Sequence, residues 1–111
     1  MTSQAIRLQT KGITDWDSFH SVCAETLGFP GFYGRNIDAW IDCMTYLDDA
    51  NAVVTAATVA PGELFHSEVA DSMDFQKRLP EIFQAFIESA AFVNWRRVSQ
   101  GERPVLALVL L

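Results

Sequence analysis

Polar and apolar positions change period several times along the chain, and each change marks an element. Over residues 4–9, Ala5, Ile6 and Leu8 alternate with polar neighbours and run into Lys11-Gly12, which predicts a short opening strand closed by a turn. Thr14 followed by Asp17 resembles a capping box, and Trp16, Phe19, Cys23 and Leu27 then recur at helical spacing. A first helix is predicted over 15–27, stopped by Gly28 and Pro30. Residues 29–35 mix glycine and proline with aromatic rings and predict a short loop whose rings rest on the body of the protein. Asn36 then caps a second helix in which Ile37, Trp40, Ile41, Met44 and Leu47 form one apolar stripe, ended by Asp48 and Asp49.

The middle of the chain is rich in Val, Thr and Ala and predicts a strand over 52–59, with Pro61-Gly62 favouring a type II turn. A return strand over 63–69 would set Leu64, His66 and Glu68 on one face and Phe65, Ser67 and Val69 on the other. Asp71 and Asp74 open a helical stretch that Pro80 restarts. Ile82, Phe83, Phe86, Ile87 and Ala90 line a longer helix, extended by Trp95 and Val98 and ended by Gly101 and Pro104. Residues 105–111 are apolar at every position, as expected of a strand buried on both faces with helices covering both sides of the sheet. The alternating order of strands and helices predicts an α/β fold with mainly parallel strands and room for an extra hairpin strand.

A length of 111 residues suits one domain, 1–111, without a linker or repeat. Its formal net charge of −6 argues against nucleic acid as a partner. The longest strongly apolar run, 105–111, is far short of a membrane span, and the N-terminal residues do not read as a secretory signal, so no membrane partner and a cytoplasmic location are expected. Cys23 and Cys43 lack the close spacing of a zinc or redox pair and read as buried thiols.

Catalytic signals are thin. His20 shares its helix face with Trp16, Phe19 and Cys23 and reads as a packed or half-exposed histidine rather than half of a catalytic dyad, and His66 has no identifiable partner. Metalloprotease, phosphate-loop and nucleophile-elbow motifs are absent, so no enzyme, metal or cofactor is expected. Arg96-Arg97 beside Trp95 reads as complementing a helix C-terminus rather than clamping phosphate. Asp38 and Asp42 are different: four residues apart, their carboxylates project from one side of the second helix. Asp38 gains from the helix dipole, but Asp42 lies beyond the first turn, where aspartate is a poor helix former and a like-charge pair costs on the order of 0.2–0.5 kcal/mol. A local choice that works against the helix points to function.

Read as one string from Gly28 to Thr45, GFPGFYGRNIDAWIDCMT, the neighbourhood resembles the barstar family. Pro30, the Phe32-Tyr33 pair, Gly34, Asn36, Ile37, Asp38-Ala39, Asp42-Cys43 and Thr45 match at unbroken spacing, as do Ile13-x-Asp15 and the apolar closing strand. The resemblance implies a three-stranded parallel sheet flanked by helices, and an intracellular inhibitor that plugs the active site of a guanyl-specific ribonuclease. By motif position, Asp42 would enter the pocket for the substrate phosphate, Asp38 would engage basic groups beside it, Glu88 would add an acidic contact from the later helix, and Gly34 would admit close backbone approach.

That role agrees with elementary electrostatics. A ribonuclease site is cationic because it must hold a phosphodiester, so an anionic helix face can imitate substrate. Opposite charges also speed encounter, an effect for which the barnase–barstar pair is itself the reference case. Three departures, Phe32 for tyrosine, Ile41 for tryptophan and Arg35 for an acid, remove or alter anchors of barnase binding and point to a different target. The expected partner surface is thus Phe32, Tyr33, Gly34, Arg35, Asp38, Ile41, Asp42 and Glu88, facing a basic ribonuclease or another nuclease toxin. The rivals are a small hydrolase using the two carboxylates as acid and base, and a non-inhibitory acidic interaction module on the same fold.

Overall fold

The computed structural model describes residues 5–49, 52, 55 and 58–111. It contains β1 (Ala5–Leu8), a 3-10 turn (Thr10–Gly12), α1 (Trp16–Leu27), α2 (Ile37–Thr45), β2 (Phe65–Val69), α3 (Ser72–Arg78), α4 (Pro80–Ser99) and β3 (Leu106–Leu110). Each boundary has a local cause. Asp15, rather than Thr14, caps α1: its Oδ1 accepts from Ser18 N at 2.8 Å while Ser18 Oγ accepts from Asp15 N at 3.0 Å, a reciprocal capping box displaced one residue from the predicted one. Gly28 ends the helix in the left-handed region at φ 68°. Asn36 Oδ1 accepts from Ala39 N at 2.7 Å to start α2, and Pro80 occupies the first turn of α4, where a missing N–H costs nothing.

The three strands pair in parallel in the order β1-β2-β3, with Ile6 opposite Ser67 and Ser67 opposite Leu108. The central strand is therefore 65–69. The return strand expected over 63–69 forms over 65–69, with Phe65, Ser67 and Val69 sharing one face as expected and that face buried, but it pairs with both chain-terminal strands and no hairpin is seen among the described residues. Half of the strand expected over 52–59 lies outside the described residues; Ala52, Thr55, Thr58 and Val59, which are described, are not in a strand. Pro61-Gly62 does make its turn, closed by Glu63 N to Ala60 O at 3.0 Å with Gly62 at φ 87°.

The expectation of helices on both faces is overturned. Ile6, Leu8, Phe65, Val69, Leu106 and Leu108 point into the core, whereas Ala5 and Arg7 on the opposite face are exposed and His66, Glu68, Ala107 and Val109 are half-buried. An Arg7–Glu68 ion pair at 3.1 Å crosses that second face. Topology accounts for this: with strands in sequential order, crossovers of the usual right hand put both connections on one side of the sheet. An apolar run therefore did not require two covered faces.

Phe86 is the centre of the core. It meets Phe19 and Trp40 edge-on, with ring centroids 5.8 and 5.7 Å apart, and so joins α1, α2 and α4. Asn94 then locks α4 to the sheet, accepting from Val105 N and Leu106 N and donating to Leu106 O. The face of α2 that carries no core residues is thereby held at a defined place on a rigid body.

Candidate functional site

The loop between α1 and α2 is built by its own aromatic residues. Tyr33 N donates to Pro30 O at 3.0 Å, the Tyr33 ring packs on Phe29 with centroids 4.7 Å apart, and its hydroxyl lies 2.6 Å from His20 Nδ1. His20 is buried, as expected of a packed histidine; desolvation, and secondarily the nearby Arg35 cation, push its pKa below the usual imidazole value. Burial likewise raises the Tyr33 phenol, so the pair is a neutral hydrogen bond. Turning Tyr33 inward turns its neighbour outward: Phe32 is 80% exposed, a large apolar side chain offered to solvent by a braced loop.

Arg35 was expected to add a cation to the partner surface, and the structure uses it otherwise. At φ 54° its backbone turns the guanidinium back onto α1, where Nη2 donates to Asp17 Oδ1 at 2.7 Å, Asp17 O at 2.8 Å and Ser21 Oγ at 2.9 Å. Its charge is paired there with Asp17, and it fastens the loop that displays Phe32. Gly34 is exposed, and an added Cβ would meet only Ala39 Cβ and Asn36 Nδ2 at 3.4 Å, an ordinary contact. The fold alone thus gives little reason for glycine at this position.

Asp38 and Asp42 do project together from α2, both exposed. Asp38, in the first turn behind the Asn36 cap, makes no ion pair among the described residues. Asp42 does: its Oδ1 accepts from Arg96 Nη1 of α4 at 2.8 Å, while its side chain stays 64% exposed. The expectation that Asp42 brings nothing to the fold is therefore corrected, since it ties α2 to α4. Such an exposed pair is worth about 0.2–1 kcal/mol, comparable to the local cost of aspartate in the helix.

A shallow groove of about 290 Å³ runs between the two helices, lined by Ile37 and Ile41 from α2 and by Ala85, Glu88, Ser89 and Phe92 from α4. Glu88 is exposed and held by Gln84 Nε2 at 3.0 Å. Ile41, expected at the partner surface, is 92% buried and reaches that surface only as part of the groove lining, because its position on the apolar stripe faces α4. The structure thus places Ile41 and Glu88 in the lining of one groove between α2 and α4, with Asp38 and Asp42 exposed on α2 outside that lining and Phe32 exposed on the loop that precedes it.

Arg97 sets how α2 and α4 are registered. It is buried, makes bidentate hydrogen bonds to Asp48 at 2.7 and 3.0 Å, and donates to Thr45 O at 2.8 Å and Arg103 O at 2.7 Å. Both arginines of the Arg96-Arg97 pair serve the fold, as the structural reading held, but through Asp42 within α2 and Asp48 in the turn after it rather than through the dipole of α4 alone. No sequence signal paired Arg97 with Asp48, which lies 49 positions away.

Burial pushes the Cys23 thiol up to about 12 and the Cys43 thiol up to about 11, so neither is a thiolate nucleophile at neutral pH. The described residues hold no cluster of metal-ligating side chains and no helix long and apolar enough to cross a membrane.

In comparison with known proteins, the family model described as Barstar (barnase inhibitor) matches residues 3–107. The curated proteins gave no match.

Proposed function

The chain belongs to the barstar family, and from that membership we propose that it is an intracellular inhibitor, of the antitoxin or immunity type, that blocks the cationic active site of a ribonuclease or related nuclease toxin. The observation that carries this reading is the disposition of Asp38 and Asp42, exposed along one side of α2, with Glu88 across the groove on α4. Carboxylates held on packed helices need little reorganisation to meet clustered cations, and they present charge to a phosphate-binding cleft without a bond to cleave. Phe32 supplies an exposed apolar side chain on the loop that leads into α2, and Gly34 keeps the neighbouring backbone open to approach.

Ile41 in the groove and Arg35 turned onto α1 make the contact surface different from one built on tryptophan and an acid at those positions, which supports a target other than barnase. The test is inhibition of RNA cleavage by a panel of basic guanyl-specific ribonucleases, barnase included. Inhibition of at least one enzyme should weaken as salt rises, and Asp42→Ala should reduce it far more than Asp49→Ala, on the turn beyond α2. Equal loss from the two substitutions, or a panel left wholly active, would end the proposal.

A non-inhibitory acidic interaction module is the second reading. It is favoured by one observation: Arg96 already occupies the carboxylate that an inhibitor would most need. Inhibition by the wild-type chain decides between the two.

A further inference from the structure

Glu88, Phe92 and Arg96 follow one another at four-residue spacing along α4, so they share the side of that helix that faces α2. Arg96 is one turn beyond the groove, and its Nη1 also lies 3.5 Å from Thr45 Oγ1. Asp42 Oδ2 accepts no hydrogen bond among the described residues, and the Arg96 and Asp42 side chains are 35% and 64% exposed. The contact is a single, water-accessible hydrogen-bonded ion pair. Arg97, its neighbour in sequence, is the opposite case, buried and fixed by several acceptors.

An incoming cation has two ways to reach Asp42. It can bind Oδ2 while Arg96 remains, and then it meets a like charge a few ångströms away; or it can displace Arg96 from Oδ1 and forfeit the internal pair. An exposed pair of this kind is worth about two- to five-fold in an equilibrium constant, so displacement is feasible but is charged against every binding event. A lone surface lysine or arginine on an unrelated protein offers little to outweigh that loss. A cleft in which several cations converge does, because it adds interactions at Asp38 and Glu88 that Arg96 does not contest.

Resting on the inhibitor reading above, we infer that Arg96 is an internal competitor that tunes the partner surface: it occupies Asp42 in the free protein and lowers the affinity of every cation that engages that carboxylate, so that only partners with further contacts elsewhere bind appreciably. Arg96 acts through Asp42, as an internal competitor for the carboxylate. Its removal therefore strengthens single-cation binding at that residue and leaves Asp38 nearly unchanged.

The inference is tested without a ribonuclease. N-acetyl-arginine amide is titrated into wild type, Arg96→Gln and Arg96→Lys while the side-chain carboxylate carbons of Asp38 and Asp42 are followed by NMR, with the amide spectrum as the check on folding. In Arg96→Gln the apparent dissociation constant at Asp42 should fall about two- to five-fold, Asp38 should keep its wild-type value, and Arg96→Lys should stay close to wild type. An unchanged or weakened response at Asp42, or an equal gain at Asp38, would overturn the inference. Failure of the ribonuclease panel with this titration intact would remove the inhibitor reading and leave the competition at Asp42 standing.

Discussion

Replacing Arg97 with methionine removes the only guanidinium that reaches Asp48 among the described residues, and its cost can be worked from the contacts. The substitution keeps much of the aliphatic stem but deletes two hydrogen bonds to the Asp48 carboxylate, one to Thr45 O and one to Arg103 O. The Asp48 side chain is only 17% exposed, so its charge is left largely desolvated and unpaired. Stripping one partner from a buried ion pair costs about 3–5 kcal/mol. Residual water access at Asp48 places the expectation near the lower end, about 3 kcal/mol, a large share of the roughly 5–15 kcal/mol that holds a domain of this size. Urea unfolding followed by tryptophan fluorescence should show the loss as a lower midpoint with an unchanged slope. Asp48→Asn with Arg97→Met should cost less than the sum of the single changes, with a coupling of roughly 0.5–3 kcal/mol, because neither charge is then stranded. A single variant within about 0.5 kcal/mol of wild type, or strict additivity, would refute the assignment of Arg97 as the residue that fixes α2 on α4.

Three further outcomes are expected. His20 has a folded pKa below its unfolded value of about 6.5, so the unfolded chain binds the proton first; its contribution to stability is complete above pH 6.5 and declines as pH falls from there toward the depressed folded value. Unfolding measured from pH 7.5 to 5 should show that decline flattened in His20→Asn relative to wild type, and parallel curves would dismiss it. Phe32→Ala, at a side chain 80% exposed, should move stability by no more than about 0.5 kcal/mol while weakening inhibition of the target nuclease; unimpaired inhibition would take Phe32 out of the contact surface. Gly34→Ala should also leave the unfolding midpoint nearly unchanged, since its Cβ meets neighbours at ordinary distance, but should weaken inhibition by obstructing close backbone approach. A large stability loss in Gly34→Ala would show the glycine to be structural.

Elements with strong local signals were legible. The periods of α1, α2 and α4, the Asn36 cap, the Pro80 restart and the Pro61-Gly62 turn were all visible because the forces that make them act within a few residues. The Asp15 cap was displaced by one residue from the predicted Thr14 because several side chains in 14–18 can serve as acceptors, and backbone geometry selects among them. The return strand was found with its residues divided correctly between two faces, while its place at the centre of the sheet was not, since pairing partners are chosen by topology.

The same division holds for the site. The spacing of Asp38 and Asp42 was enough to place both carboxylates on one side of α2, because helical geometry fixes that from sequence alone. Whether those carboxylates stood free was decided by other helices: Arg96 of α4 reaches Asp42 across 54 positions, and Arg35 is drawn away to Asp17 of α1 across 18. Ile41 was legible as apolar but not as groove lining, because the same stripe can face a core or a partner until the neighbouring helix is in place. Local periodicity determined which residues share a face, and tertiary packing decided which charges remain available on it, since ion pairs depend on distances through space that no sequence interval encodes.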